Sequence, residues 1–227
     1  MNLFQLQTLG QYRQGTIEIN LVPVGIGAAK ENQPRGLQVP HEPRVVERTG
    51  KGDQDQALNN VQQLIEQAII SFEKPDAGIW EFRGEMKHSV FSKLMNWAAV
   101  DRGVRIAGHI GRHDLVSQWA PIRERMRDTI EKQGWNEREG IYAQSYGGDS
   151  PDAANLLLPA VNFISARDDR FQKMIDTYHK TLRVGRGVYR YRTADDFGVP
   201  KTTFTVCAFW MADALWGAGR KAEAREL

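Results

Sequence analysis

Cysteine is all but missing from this sequence, with Cys207 the only one in 227 residues. An internal disulfide is therefore impossible, and a structural zinc site lacks its thiolate ligands. Cys207 lies in the apolar run Phe204 to Trp210 and is expected to be a small buried hydrophobe. An excess of one charge is missing too: 30 Lys and Arg are set against 28 Asp and Glu, interspersed, for a net charge of +2. That excludes a clustered basic surface and with it a nucleic-acid partner. No stretch approaches the ~20 apolar residues that cross a bilayer, so no membrane partner is expected. The first fifteen residues lack the basic region and apolar core of a secretory signal, which makes the expected location cytoplasmic. No glycine-rich loop has the spacing that cradles phosphates, so no nucleotide or redox cofactor is expected, and the cofactor expectation is none. His88, His109, His113 and His179 share no ligand-like spacing, and Gly111 interrupts the one pair four residues apart. No metal site is expected.

What is present is a 41% hydrophobic fraction, enough for a core of ordinary density. Ile17, Ile19 and Leu21 alternate within residues 16–22 and predict a short strand. Residues 31–56 are polar, rich in proline and glycine, and read as an extended connector. The division is thus an irregular segment over residues 1–55 and a helical domain over residues 56–227.

Helical spacing dominates the second part. Leu58, Val61, Leu64, Ile65, Ala68, Ile69 and Phe72 recur at helical spacing, and Pro75 ends the run. A second helix is predicted from about His88 to Ala107. A third carries Trp119, Ile122, Met126 and Ile130, with Gly134 as its C-terminal cap. Ser150, Pro151 and Asp152 read as the start of a fourth, running from Ala153 to Ile164 with Pro159 kinking or ending it. Phe171, Met174, Ile175, Tyr178 and Leu182 mark a fifth. The sixth, from about Thr203 to Gly217, is apolar on nearly every side and is expected to be deeply buried. Two aromatic connections, residues 140–146 and 187–192, read as extended loops. Six helices and no long strand make the fold class all-α.

One loop is crowded with chemistry: Trp80, Glu81, Phe82, Arg83 and Glu85 follow the first helix. A carboxyl beside a tryptophan can be desolvated and held protonated near neutrality, as a general acid requires. The alternative is a surface loop whose Trp80 plugs a helix junction and whose Glu81 and Arg83 form a solvated pair.

Longer motifs bear on that choice. Asp76 to Glu81 reads Asp-x-Gly-Ile-Trp-Glu, and Trp97 to Arg102 reads Trp-x-Ala-x-Asp-Arg. Residues 144–147 read Gln-Ser-Tyr-Gly, followed by Asp152-Ala153 and a leucine-rich stretch; two further segments lie at residues 187–198 and 204–227. In this order they resemble glycoside hydrolase family 15, the glucoamylase and trehalase-like enzymes, over about Gln56 to Leu227. The resemblance implies an (α/α)6 toroid of paired helices, of which this chain holds about half. It implies inverting hydrolysis of an α-glucosidic bond, with one carboxylic acid protonating the leaving oxygen while a carboxylate ~6.5–9.5 Å away activates water. It places the general acid at Glu81 and a glucose subsite at Trp80 and Arg83. It places Tyr142, Gln144, Tyr146, Tyr189 and Arg190 in loops near the funnel, the tyrosines having core packing as their alternative.

Two departures accompany the resemblance. Six helices are half a toroid, which implies a fragment or a wall borrowed from a second copy, and an open apolar edge suited to homo-oligomers. At the position three before Phe204, where the family's last motif places a Glu as base, stands Lys201. An ammonium accepts no proton, so Asp195, Asp196 or Glu85 would have to substitute. Three functions follow: a glycosidase acting on starch ends, maltooligosaccharides or trehalose; a catalytically impaired sugar-binding relic; or a helical scaffold that binds protein through its open edge.

Overall fold

The computed structural model describes residues 51–227, with side chains from Gln56 onward. The expected strand over residues 16–22 and most of the expected connector lie outside the described residues.

Three long helices come first: α1, Lys51–Phe72; α2, Val90–His109; and α3, His113–Gly134. The α1 helix begins before the apolar periodicity does, because residues 51–55 are Lys, Gly, Asp, Gln and Asp and contribute no apolar stripe. Ile65 and Phe72 of α1, Leu94, Trp97 and Val104 of α2, and Trp119, Met126 and Ile130 of α3 are buried in one core. Close approach needs a residue without a Cβ at Gly103, where an added carbon would collide with Ile65. Gly134 serves the same end and is not the left-handed cap expected of it. It is the last helical residue, and a Cβ there would lie 3.2 Å from Val90.

Two buried charges tie these helices together. Asp101 of α2 accepts from Arg102 at 2.6 Å, Arg105 at 2.9 Å and, across on α3, Arg123 at 3.5 Å. Lys93, fully buried, donates to the carbonyls of Ser71 and Lys74 and lies 3.4 Å from Asp76. A buried ammonium is tolerated where its donors are taken up in this way.

The remainder is irregular structure braced by shorter elements. Strand β1 (Trp135–Asn136) pairs antiparallel with β2 (Ile141–Tyr142), and β3 (Arg183–Val184) with β4 (Gly187–Val188). Both aromatic connections are thus arms of small hairpins. The expected fourth helix is not formed. Ala153–Leu157 make one 3₁₀ turn, capped by Asp152, and turns follow through Pro159 and the left-handed Asn162. Pro159 has no amide to continue a helical ladder, so the apolar run packs as buried turns instead. Helix α4 spans Asp169–Leu182 and α5 spans Thr205–Gly217.

Helix α5 corrects the expectation of deep burial. Cys207, Met211, Ala214 and Leu215 are buried, but Phe209 is 66% exposed and Trp216 48%. Hydrophobicity on every side cannot report which side a neighbour covers. A last helix, α6 (Lys221–Glu226), was not expected; it carries no apolar stripe and is anchored by Arg220, which pairs with Glu223 and Asp176 at 2.6 Å each. Among the described residues no helix is long and apolar enough to cross a membrane.

Candidate active site

The loop that leaves α1 is closed on itself before α2 begins. Asp76 and Lys87 exchange backbone hydrogen bonds of 2.8 and 3.1 Å, pinching residues 76–87 into a hairpin-like loop. The Asp76 carboxylate accepts from the Gly78 amide at 2.7 Å and from Ser92 Oγ at 2.6 Å, fixing the loop to the first turn of α2. At its tip Glu81 adopts φ +54°, one of two non-glycine residues in the left-handed region among the described residues. A glutamate held there is strained by a small amount that the surrounding contacts must offset.

A cavity of about 350 Å³ opens beside this loop, walled by Trp80, Phe82, Glu85, Gln144, Asp152 and Asp195 among others. Trp80 is its organising side chain. The indole Nε1–H donates to both oxygens of Asp152, at 3.0 and 2.9 Å. Arg190 lies 5.6 Å over the indole ring, while Tyr191, Phe204 and Trp210 stand about it at 6.1 to 6.3 Å. Asp152 is only 3% exposed. It accepts further from the Ala154 amide at 2.9 Å and Gln144 Nε2 at 3.2 Å. Burial pushes its carboxyl up to about 6, against the opposing pull of these donors and of Arg190.

The rim of the cavity is acidic and ordered. The Tyr191 hydroxyl donates to Asp195 at 2.6 Å, and the Phe197 amide donates to its other oxygen at 2.8 Å. These donors hold the Asp195 carboxyl below the usual carboxylate range. Asp196 accepts from the Arg83 amide at 2.9 Å, joining the two loops across the mouth. A second hollow, near Arg127 and Arg170, contains none of the expected site residues, and both guanidiniums already pair with Glu131.

The sequence pattern described as "Glycosyl hydrolases family 15" matches residues 47–225. The chain belongs to that family. It is 36% identical over 166 residues to a trehalase of Mycolicibacterium smegmatis and 32% identical over 168 residues to a trehalase of Thermoplasma volcanium. Those matches take in 72% and 74% of this chain but span only 25% and 27% of the two trehalases. Among solved structures, a wild-type glycosidase and a glycosidase variant in complex with glucose each align with a TM-score of 0.57 at 16% identity. Each alignment covers 70% of this chain and 41% of the other. The fold is therefore the all-α array expected, part of the helical toroid of the family.

Within this family 15 chain the expected site residues separate into three groups. Trp80 and Gln144 line the cavity. Glu81, Arg83 and Arg190 flank it: Glu81 is exposed and its carboxylate makes no hydrogen bond or ion pair among the described residues, and the Arg83 guanidinium rests 5.5 Å over the Phe197 ring. The solvated Glu81–Arg83 pair considered above does not form. The third group lies apart from the cavity lining. Tyr142 is fully buried, its hydroxyl donating to Glu131 at 2.6 Å, so burial and that acceptor both raise its pKa. Tyr146 stacks on His88 at 5.6 Å with its hydroxyl buried. Tyr189 donates to the carbonyl of Lys201 at 3.5 Å beneath Arg192. Lys201 itself is exposed.

The desolvated acid beside the tryptophan is thus Asp152 and not Glu81. Sequence reasoning took Asp152 for a helix-start residue, which it is in part, since it caps the 3₁₀ turn. Nothing in the local pattern discloses that a tryptophan 72 residues earlier donates to it.

Proposed function

We propose that this chain contributes the sugar-binding wall and the general acid of an inverting α-glucosidase site. Trp80 offers the ring face that Arg190 does not cover to a glucosyl ring, Arg83 and Arg190 reach its hydroxyls, and Glu81 protonates the leaving oxygen. The observation that carries this is the fixed indole. Trp80 is tied at its N–H by Asp152 and covered on one side by Arg190, and it sits next in the chain to a glutamate held at positive φ whose carboxylate no group among the described residues occupies. A carboxyl with no side-chain partner among the described residues, set beside a rigid aromatic platform, is placed to carry a proton to the leaving oxygen of a bound glucoside.

The trehalase relatives make trehalose the first substrate to try, with maltose and maltotetraose beside it. Glucose release by purified protein, with Glu81→Gln run in parallel, is the test. Release that the variant loses supports Glu81 as the acid; release that it retains in full removes the assignment.

A second reading is favoured by Lys201, which stands where a carboxylate base is expected and lies exposed on the loop before α5. On that reading the cavity holds a glucoside without cleaving it. Calorimetric binding of glucose or trehalose without any release of glucose would support it.

A further inference from the structure

We propose that Asp152 is a positioning residue which clamps the Trp80 indole in its sugar-facing orientation. The inference rests on the reading of the cavity as a glucoside site, and it assigns a task to a residue that the chemistry itself does not use.

A buried carboxylate has to be explained, because taking the charge out of water is unfavourable unless donors replace the solvent. Capping the 3₁₀ turn does not explain it. That task needs one oxygen, toward the Ala154 amide, and an uncharged asparagine or serine does it as well. What distinguishes Asp152 is its second set of contacts. The indole N–H, which can only donate, is shared between both carboxylate oxygens, and Gln144 closes the remaining side.

The rings about Trp80 cannot do this work themselves. Tyr191, Phe204 and Trp210 stand tilted or edge-on at about 6 Å, contacts without the directionality that would fix the indole's rotation about its Cβ–Cγ bond. A hydrogen bond at the edge of the ring stops that rotation. Arg190 presses on the face of the same indole, and its carbonyl accepts from the Ala153 amide at 2.8 Å. The loop carrying Arg190 is thereby tied to the turn carrying Asp152, and the two side chains hold the same ring from its face and its edge. Glu81 follows Trp80 directly in the chain, so the acid and the aromatic platform stand on the same loop.

The groups that face Asp152 from the elements around it are Trp80 and Gln144, Tyr178 from α4, Arg190 and Tyr191 from the last loop, and Cys207 from α5. Arg190 is the one cation among them. Burial has already lifted the Asp152 carboxyl to about 6, so the clamp passes between charged and neutral forms under ordinary buffer conditions.

The experiment follows the indole ¹H–¹⁵N resonance of Trp80, assigned with Trp80→Phe, in the full chain from pH 4.5 to 8. Glucose is then titrated into wild type and Asp152→Asn at pH 7. Asparagine keeps the shape and the cap, so the variant isolates the charge. The wild-type resonance is expected to move with a midpoint near 6, to stand still in Asp152→Asn, and glucose to bind the variant about 10-fold more weakly. A resonance static in wild type, or moving equally in both, overturns the clamp. Equal glucose affinity in both proteins overturns the positioning role. If neither protein binds glucose, the reading of the cavity fails, and the indole titration alone decides whether Asp152 holds Trp80.

Discussion

Trp80 and Asp152 are 72 residues apart in the chain and meet edge to carboxylate, the indole N–H lying 3.0 and 2.9 Å from the two oxygens. The pair joins the loop after α1 to the turn before α4 and forms one wall of the cavity. Its environment is dry enough to lift the carboxyl from the usual ~3.9 to about 6.

That shift has a consequence for stability. An unfolded chain releases the Asp152 proton near pH 4, whereas the folded chain keeps it until about 6. Between those values the unfolded state binds fewer protons, so stability falls as pH rises. The loss from this group reaches ~3 kcal/mol by neutrality and stays constant above it. Denaturant unfolding of wild type and Asp152→Asn at pH 4.5 and 7.5 should show the variant losing less stability across that interval. A parallel pH dependence in the two proteins would mean that the carboxyl is not desolvated.

Gly187 is predicted to be intolerant of any side chain. A Cβ there would stand 2.5 Å from Thr203 Oγ1 and 2.8 Å from Thr203 Cβ, an atom next to the backbone that cannot swing away. Thr203 precedes Phe204, whose amide donates to Val188 at 2.9 Å and fixes the entry to α5. Gly187→Ala should lower stability by ~1–3 kcal/mol, the usual range for overpacking. Thr203→Gly in the same chain should restore part of it. Urea midpoints for the three proteins check both statements.

Much of this fold is legible in the sequence because its long helices obey amphipathic periodicity. Ile65, Leu94, Trp119 and Met126 fall on buried faces as their spacing requires. Legibility ends where apolar residues run without period. The stretch after Asp152 is hydrophobic because turns bury it, and α5 is hydrophobic all round while one side faces out. In the site, Trp80 and Gln144 are found through motifs that keep local order. Asp152 has a different signature: its meaning lies in a contact across 72 residues, and only the fold brings the two together. Tyr142 fails for the opposite reason, its motif neighbours lying near the cavity while its own side chain turns into the core toward Glu131.

Asp101 makes a prediction that separates scaffold from site. It gathers Arg102, Arg105 and Arg123, and Arg102 reaches on to the carbonyl of Val161 at 3.1 Å. Removing the carboxylate leaves three guanidiniums close together, but each is partly exposed and can rehydrate, so the loss is held to ~1–3 kcal/mol. Asp101→Ala should therefore lower the unfolding midpoint while leaving glucose affinity at saturating fold unchanged. A selective fall in affinity with no change in stability would place Asp101 in the site instead.

Lys201 is the sharpest point on which the two functional readings divide. If the loop before α5 delivers its residue to the water-bearing side of a bound glucoside, the ammonium there is the reason for slow or absent turnover. A carboxylate in its place restores the missing acceptor. General-base assistance is worth ~10²–10⁴ in rate, so Lys201→Glu should raise glucose release from trehalose or maltose by about 100-fold or more. Lys201→Gln, which removes the charge without supplying a base, should not. Adding Glu81→Gln to the gain-of-function variant should abolish the gain, because inversion needs both carboxyl groups at once. A Lys201→Glu protein that binds sugar as wild type does and releases no more glucose would show that position 201 does not face the reacting bond. Hydrolysis, where wild type performs it, would then draw its base from the cavity rim, with Glu85 the carboxylate there that no hydrogen bond occupies among the described residues.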